Sequence, residues 1–182
     1  MKSFLNFLWE VARIVVVALV FVFLIRSFLI QPFVVSGDSM KPNFLNGEYL
    51  IIDEISYRFN PPQRGDVVVF KYPGDPSKFY IKRLIGLPGE TIIIKNNQVM
   101  IKNQDNPNGF VLDESAYLKN VSTPGDEIIL LDKDQFFAMG DNRAVSYDSR
   151  SWGPLPKDDL IGRVWLRVFP VSRAAVVETP SY

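Results

Sequence analysis

From Trp9 the chain runs WEVARIVVVALVFVFLIRSFLI to Ile30, apolar on all faces of a helix, and no comparable stretch recurs. A helix of that length, at ~1.5 Å per residue, reaches ~33 Å, enough for a hydrocarbon core of ~30 Å. The uncharged part, Ile14–Ile25, is shorter than a span. Arg13 and Arg26 lengthen it by carrying their charges toward opposite surfaces. The pattern predicts one membrane-spanning helix over 9–30, behind a short tail of residues 1–8. A buried core helix and an interfacial helix are the alternatives, and the missing amphipathic stripe counts against the latter. No small-x-small site follows Ile25, so the segment reads as an uncleaved signal-anchor. Lys2 and Arg13 oppose Arg26 and Lys41 across it, so charge leaves the orientation open.

Beyond Gln31-Pro32-Phe33, where proline disfavours the helix, the pattern shortens to strands and turns. Glu48–Asp53, Asp66–Tyr72, Phe79–Ile85, Phe136–Met139 and Leu160–Val168 are β-rich runs. Glu90–Lys95 and Gln98–Lys102 flank Asn96-Asn97, a two-residue hairpin signal. Gln104–Gly109 and Asn120–Asp126 read as loops, and the tail from Ser172 holds no second span. Many short strands with frequent turns predict a mainly β domain over 31–182.

Composition narrows the chemistry. The 182 residues include no cysteine and no histidine. That removes thiolate nucleophiles, disulfides, Cys-ligated metals and the Ser-His-Asp triad. Proton transfer is left to Lys, Asp, Glu or Tyr, and no metal or cofactor is expected. The 47% hydrophobic content excludes a disordered chain, and 20 basic against 20 acidic residues give no basic excess for nucleic acid. Absence of cysteine fits either redox compartment.

Three polar clusters remain. Ser36-Gly37-Asp38-Ser39-Met40-Lys41-Pro42 describes a turn that presents a serine. In Tyr80-Ile81-Lys82-Arg83-Leu84-Ile85, strand alternation puts Lys82 on the face of Tyr80 and Leu84, opposite Ile81, Arg83 and Ile85. Either both cations stay in water at a sheet edge, or one is buried. A buried lysine loses its proton readily: at pH 8 an ordinary lysine is neutral about once in 250 molecules, a desolvated one far more often. Met139–Gly153 is rich in Asp141, Arg143, Asp148 and Arg150, and Asp–Arg pairs of that kind pin loops.

In this order, behind an apolar segment, the clusters resemble the type I signal peptidases, the Ser-Lys membrane proteases that remove secretory signal peptides. SGDSMKP looks like their serine box, YIKRLIGLPGE their lysine box and MGDNRAVSYDSRSWGPL their Gly-Asp-Asn-Arg box. The resemblance implies Ser39 as nucleophile and Lys82 as general base, with an acyl-enzyme between two steps. It implies Ser146 as the hydroxyl that orients the lysine, and Asp148 with Arg150 as a structural ion pair. The Ser39 backbone N–H becomes one oxyanion donor. Some family members carry a second donor serine where this chain has Gly37, so the second donor stays open. Asn43 replaces a frequent threonine, with little consequence expected.

The same resemblance implies shallow pockets for the small residues at −1 and −3 of a signal peptide. Pro32, Val35, Met40, Phe44, Tyr80 and Ile81 match lining positions near −1. Phe33, Val35, Leu50 and Ile81 do so near −3. For each, plain core packing is the competing reading. The implied fold is an antiparallel β catalytic core with a smaller β extension over 91–135. The implied partners are secretory preproteins and the bilayer. The implied place is the plasma membrane, crossed once, with the N-terminus cytoplasmic and the domain outside. An organellar member of the family is an alternative location. Two functional rivals are a self-cleaving Ser-Lys repressor, which would carry a helix-turn-helix at its start, and a non-catalytic anchored β module, which would need neither Ser39 nor Lys82.

Overall fold

The computed structural model describes residues 2–28, 30–119 and 122–182, and their side chains except at 2, 3, 5, 21–28, 30 and 31. Helix α1 spans Lys2–Phe28. Its described apolar side chains lie bare, Trp9 at 73% exposure among them. Among the described residues, no helix is long and apolar enough to cross a membrane. The span expected over 9–30 runs past residue 20 into side chains outside that description, and it includes Leu29, outside the described residues.

The rest is antiparallel β structure. In chain order the strands are β1 (Ile30–Val34), β2 (Tyr49–Asp53), β3 (Val67–Tyr72), β4 (Asp75–Gly86), β5 (Thr91–Lys95), β6 (Gln98–Lys102) and β7 (Phe110–Val111). They continue with β8 (Glu127–Leu130), β9 (Gln135–Met139), β10 (Leu155–Pro156), β11 (Leu160–Phe169) and β12 (Ala175–Val176). Short helices α2 (Ser56–Phe59) and α3 (Ser149–Trp152) interrupt them. The larger sheet has the order β1-β2-β11-β3-β4-β9-β10, with β12 on β11; the smaller has β7-β6-β5-β8.

Each strand has a local cause. The run Val67–Phe70 is apolar without alternation because β3 is buried on both faces. Val67 and Val69 join one core cluster with Val35, Met40, Phe44, Leu50, Ile52 and Ile81, while Val68 and Phe70 join another with Leu84, Phe136 and Ala138. Asn96 and Asn97 both have positive φ, 52° and 61°, as a two-residue primed turn requires. The smaller sheet packs Ile92, Ile94, Val99 and Ile101 on Ile85, Phe137 and Met139 of the larger one. The helix has given way before Gln31–Phe33, as expected, and these residues belong to β1. Among the described residues this strand pairs only with β2, and at such an edge proline costs no ladder bond. The loop expected over Asn120–Asp126 is irregular from 122 on, and its first two residues lie outside the described ones.

One topological feature governs the site. Strand β11, late in the chain, lies between β2 and β3, with Arg163 opposite Asp53 on one side and Val68 on the other. It joins the β1–β2 half to the β3–β4 half.

Candidate active site

Ser39 lies in the turn between β1 and β2. Gly37, at φ +87°, takes the left-handed conformation that a side chain would strain, and its N–H donates to Asn46 Oδ1 at 2.9 Å. Just beyond, Phe44 N–H donates to the Met40 carbonyl at 2.9 Å. Met40 and Phe44 are buried in the core, so the turn is plugged from below and its serine is left half-buried at the surface.

Lys82 belongs to the middle of β4, opposite Val68 of β3. Its neighbours on the same face are Tyr80 and Leu84, and it retains only 4% exposure. Nζ lies 2.8 Å from Ser39 Oγ and donates to the Ile81 carbonyl at 3.0 Å. The Tyr80 ring centre is 5.4 Å away. Burial pulls the lysine down to about 8, against the opposing charges of Asp148 and Asp141. Of the two expectations for the Lys82-Arg83 pair, solvation at an edge is corrected: both residues are buried, because β4 has β3 on one side and β9 on the other.

Arg83 points to the opposite face. It forms two 2.8 Å hydrogen bonds to Asp141 and a third to the Gly65 carbonyl, with its guanidinium 4.1 Å from the Tyr117 ring centre. Within the loop after β9, Asp148 accepts from both Nε and Nη2 of Arg150 at 2.9 Å and from Gly140 N–H at 3.0 Å. Burial pushes its carboxyl up, but the Arg150 side chain and the Gly140 amide outweigh that and hold it below the usual range. Asp141 and Arg143 do not pair with each other inside the loop. They reach outward, Asp141 to Arg83 and Arg143 to Glu114 and Thr123. The loop is thereby fastened to β4 of the larger sheet and to the segment between β7 and β8.

It is also fastened to the serine turn. Asn142 N–H donates to the Ser39 carbonyl at 2.9 Å, and Asn142 Nδ2 to the Asp38 carbonyl at 3.2 Å. Gly140 permits this closeness, because a Cβ there would collide with both Ser146 Oγ and the Ser39 carbonyl oxygen. Ser146 Oγ is buried and has no hydrogen-bond partner among the described residues. It stands beside the dyad without bonding Lys82.

A cleft of about 450 Å³ opens over Ser39 and Lys82. Of the positions expected to line specificity pockets, Phe33, Tyr80 and Ile81 face it. Val35, Met40, Phe44 and Leu50 do not: they sit in the core behind the cleft, on the inward side of their strands and turn. Pro32 is exposed on the edge strand. The cleft wall also includes Phe79, Val145 and Tyr147, which sequence reasoning passed over although all three are exposed apolar residues inside or beside the motifs. Asn43, for which little consequence is expected from the sequence, is a junction of the site. Its Nδ2 donates to Asp141 Oδ2 and to the Tyr117 carbonyl, both at 2.8 Å, and its own carbonyl accepts from Arg167 and Arg173.

Residues 8–169 match the family model described as signal peptidase, peptidase S26. A probable signal peptidase I-1 of Synechocystis sp. is 37% identical over 176 residues, covering 92% of this chain and 86% of its own. Signal peptidase I P of Bacillus subtilis subsp. natto is 37% identical over 166 residues, 88% of this chain and 89% of its own. A solved signal peptidase I from Enterococcus faecalis V583 is 30% identical and covers 58% of this chain and 97% of its own, at a TM-score of 0.47. The chain belongs to the peptidase S26 family of signal peptidases, and with it to the serine endopeptidases.

Proposed function

We propose that this protein removes signal peptides from secretory preproteins with a Ser39–Lys82 dyad, cutting after small-x-small sites. The observation that carries the reading is the buried amine 2.8 Å from a half-buried hydroxyl. Neutral Lys82 accepts the Oγ proton as Ser39 attacks the scissile carbonyl. The Ser39 N–H donates to the oxygen that becomes negative. The lysine ammonium then protonates the leaving amine, an acyl-enzyme remains on Ser39, and the neutral lysine next activates the water that releases it. Once Oγ is acylated it no longer offers Lys82 a hydroxyl partner. Ser146 Oγ, buried beside the Ser39 turn, takes up that role. Asp148 and Arg150 hold the loop that carries it. Phe33, Tyr80 and Ile81 shape the recess for the small residues before the cut.

Helix α1 is the membrane anchor in this reading. A helix of 27 residues with its described apolar side chains bare needs an apolar partner, and a bilayer supplies one. The N-terminus then lies in the cytoplasm and the catalytic domain outside the plasma membrane, where signal peptides emerge. Residues 31–182 form the catalytic domain, 91–135 its smaller β extension.

Incubation with a purified preprotein, followed by mapping of the new N-terminus, tests the proposal. Cleavage immediately after Ala-x-Ala is expected, and none from Ser39→Ala. Cleavage by Ser39→Ala, or at unrelated sites, would overturn it.

A further inference from the structure

A second cavity, of about 770 Å³, lies on the far side of the segments that border the cleft. The cleft opens on residues 36–39 and on Val145 and Tyr147. The second cavity opens on residues 41–43 and 142–144, and residues 115–119 close it. Between the two runs the Asn142–Ser39 backbone bond of 2.9 Å, so this cavity begins beside the nucleophile.

Its floor is polar but electrically settled. Asp141 is paired with Arg83, and Arg143 with Glu114. Its rim is basic. Lys41 is tied to Asp38 at 3.0 Å, whereas Lys119 is exposed and has no ion pair among the described residues. A peptide that fills the apolar cleft with the residues before the cut must leave past Ser39 on the other side. An extended chain advances ~3.3 Å per residue, and the recess next to Ser39 on the side away from the cleft is this second cavity.

We propose that this cavity receives the first residues of the mature segment and that Lys119 favours an acidic side chain among positions +2 to +4. The proposal rests on the signal-peptidase reading above and deepens it.

The test compares preproteins that differ only in carrying Glu or Lys at +2 to +4, cleaved by the full-length protein in detergent. The readout is the Glu/Lys ratio of kcat/KM within each enzyme, which is independent of how much of that enzyme is folded. Wild type is expected to favour Glu by about two- to fivefold, the range for an exposed ion pair. Lys119→Ala should bring the ratio near one and Lys119→Glu should invert it. Ala116→Trp, which fills the cavity from its closing wall, should also erase the discrimination. A wild-type ratio of one, or a ratio that Lys119→Glu leaves unchanged, overturns the proposal. Failure of wild type to cut either preprotein would instead fall on the peptidase reading, and the proposal would fall with it.

Discussion

Arg83 and Asp141 are joined by two 2.8 Å hydrogen bonds on the face of β4 opposite the one that carries Lys82. The two adjacent cations are equally buried, at 4% exposure each, and they meet the cost of burial differently. A guanidinium keeps its proton in a protein, so Arg83 requires a carboxylate. An amine can give its proton up, and Lys82 has a hydroxyl and a carbonyl within reach but no carboxylate. One strand thus holds a fixed charge on one side and a titratable base on the other.

Cleavage should follow the neutral fraction of Lys82. With the amine at about 8, each unit below that removes about ninetenths of the competent enzyme, so kcat/KM at pH 6 should lie about 100-fold below its plateau above pH 8. Lys82→Ala should abolish cleavage while leaving the circular dichroism spectrum intact. A flat profile from pH 5 to 9, with chemistry rate-limiting, would contradict the dyad.

Removing the base should stabilise the fold. The unfolded lysine binds its proton up to 10.5, the folded one only to about 8, so burying the charged amine costs the folded state stability. That cost is complete below about pH 8 and vanishes as the pH rises to 10.5. At about 1.36 kcal/mol per tenfold change it amounts to ~3 kcal/mol. Lys82→Met loses the bonds to Ser39 and Ile81, which offsets ~1 kcal/mol. Urea unfolding at pH 7 should show the variant more stable by about 1–3 kcal/mol, with the advantage gone near pH 10.5.

Asp148 bears on the same titration from the other side. Its charge is the foremost influence holding the lysine up against burial. In Asp148→Asn the acid limb of the pH–rate profile should therefore move to lower pH. The same change leaves Arg150, itself largely buried, without its partner. That should cost about 3–5 kcal/mol in denaturant unfolding. An acid limb displaced upward would count against this account of the base.

Gly140→Ala should misalign the site. The added Cβ meets Ser146 Oγ and the Ser39 carbonyl oxygen, and overpacking of this kind costs about 1–3 kcal/mol. Pairing it with Ser146→Ala removes the hydroxyl but leaves the Cβ of residue 146, at 2.6 Å, and the Ser39 carbonyl in the way. The double variant should recover little activity beyond that of Gly140→Ala alone, measured as kcat/KM on one preprotein.

Sequence pattern disclosed the parts of this molecule that depend on near neighbours. The Asn96-Asn97 turn needs only its own two backbone conformations. The unbroken apolar run of β3 identifies a strand covered on both faces. Strand β4 begins earlier than its apolar pattern, at Asp75, because Asp75–Lys78 is polar and pairs only at the hairpin's exposed end. Distant partners were not legible. Asn43 meets Asp141 across 98 positions and Arg143 meets Glu114 across 29, and neither separation leaves a local signal. Pocket wall and core also look alike as letters: Ile81 faces the cleft while Leu50 lies behind it, and both are apolar β residues.

The placement of β11 sets the order in which this molecule comes to life. A ribosome releases the serine turn and the lysine strand long before Leu160–Phe169, the piece that welds their two half-sheets together. Until that weld is made the larger sheet does not join the half that follows the Ser39 turn to the half that carries Lys82. A nascent chain that stops short of Leu160–Phe169 should therefore be an inactive hydrolase.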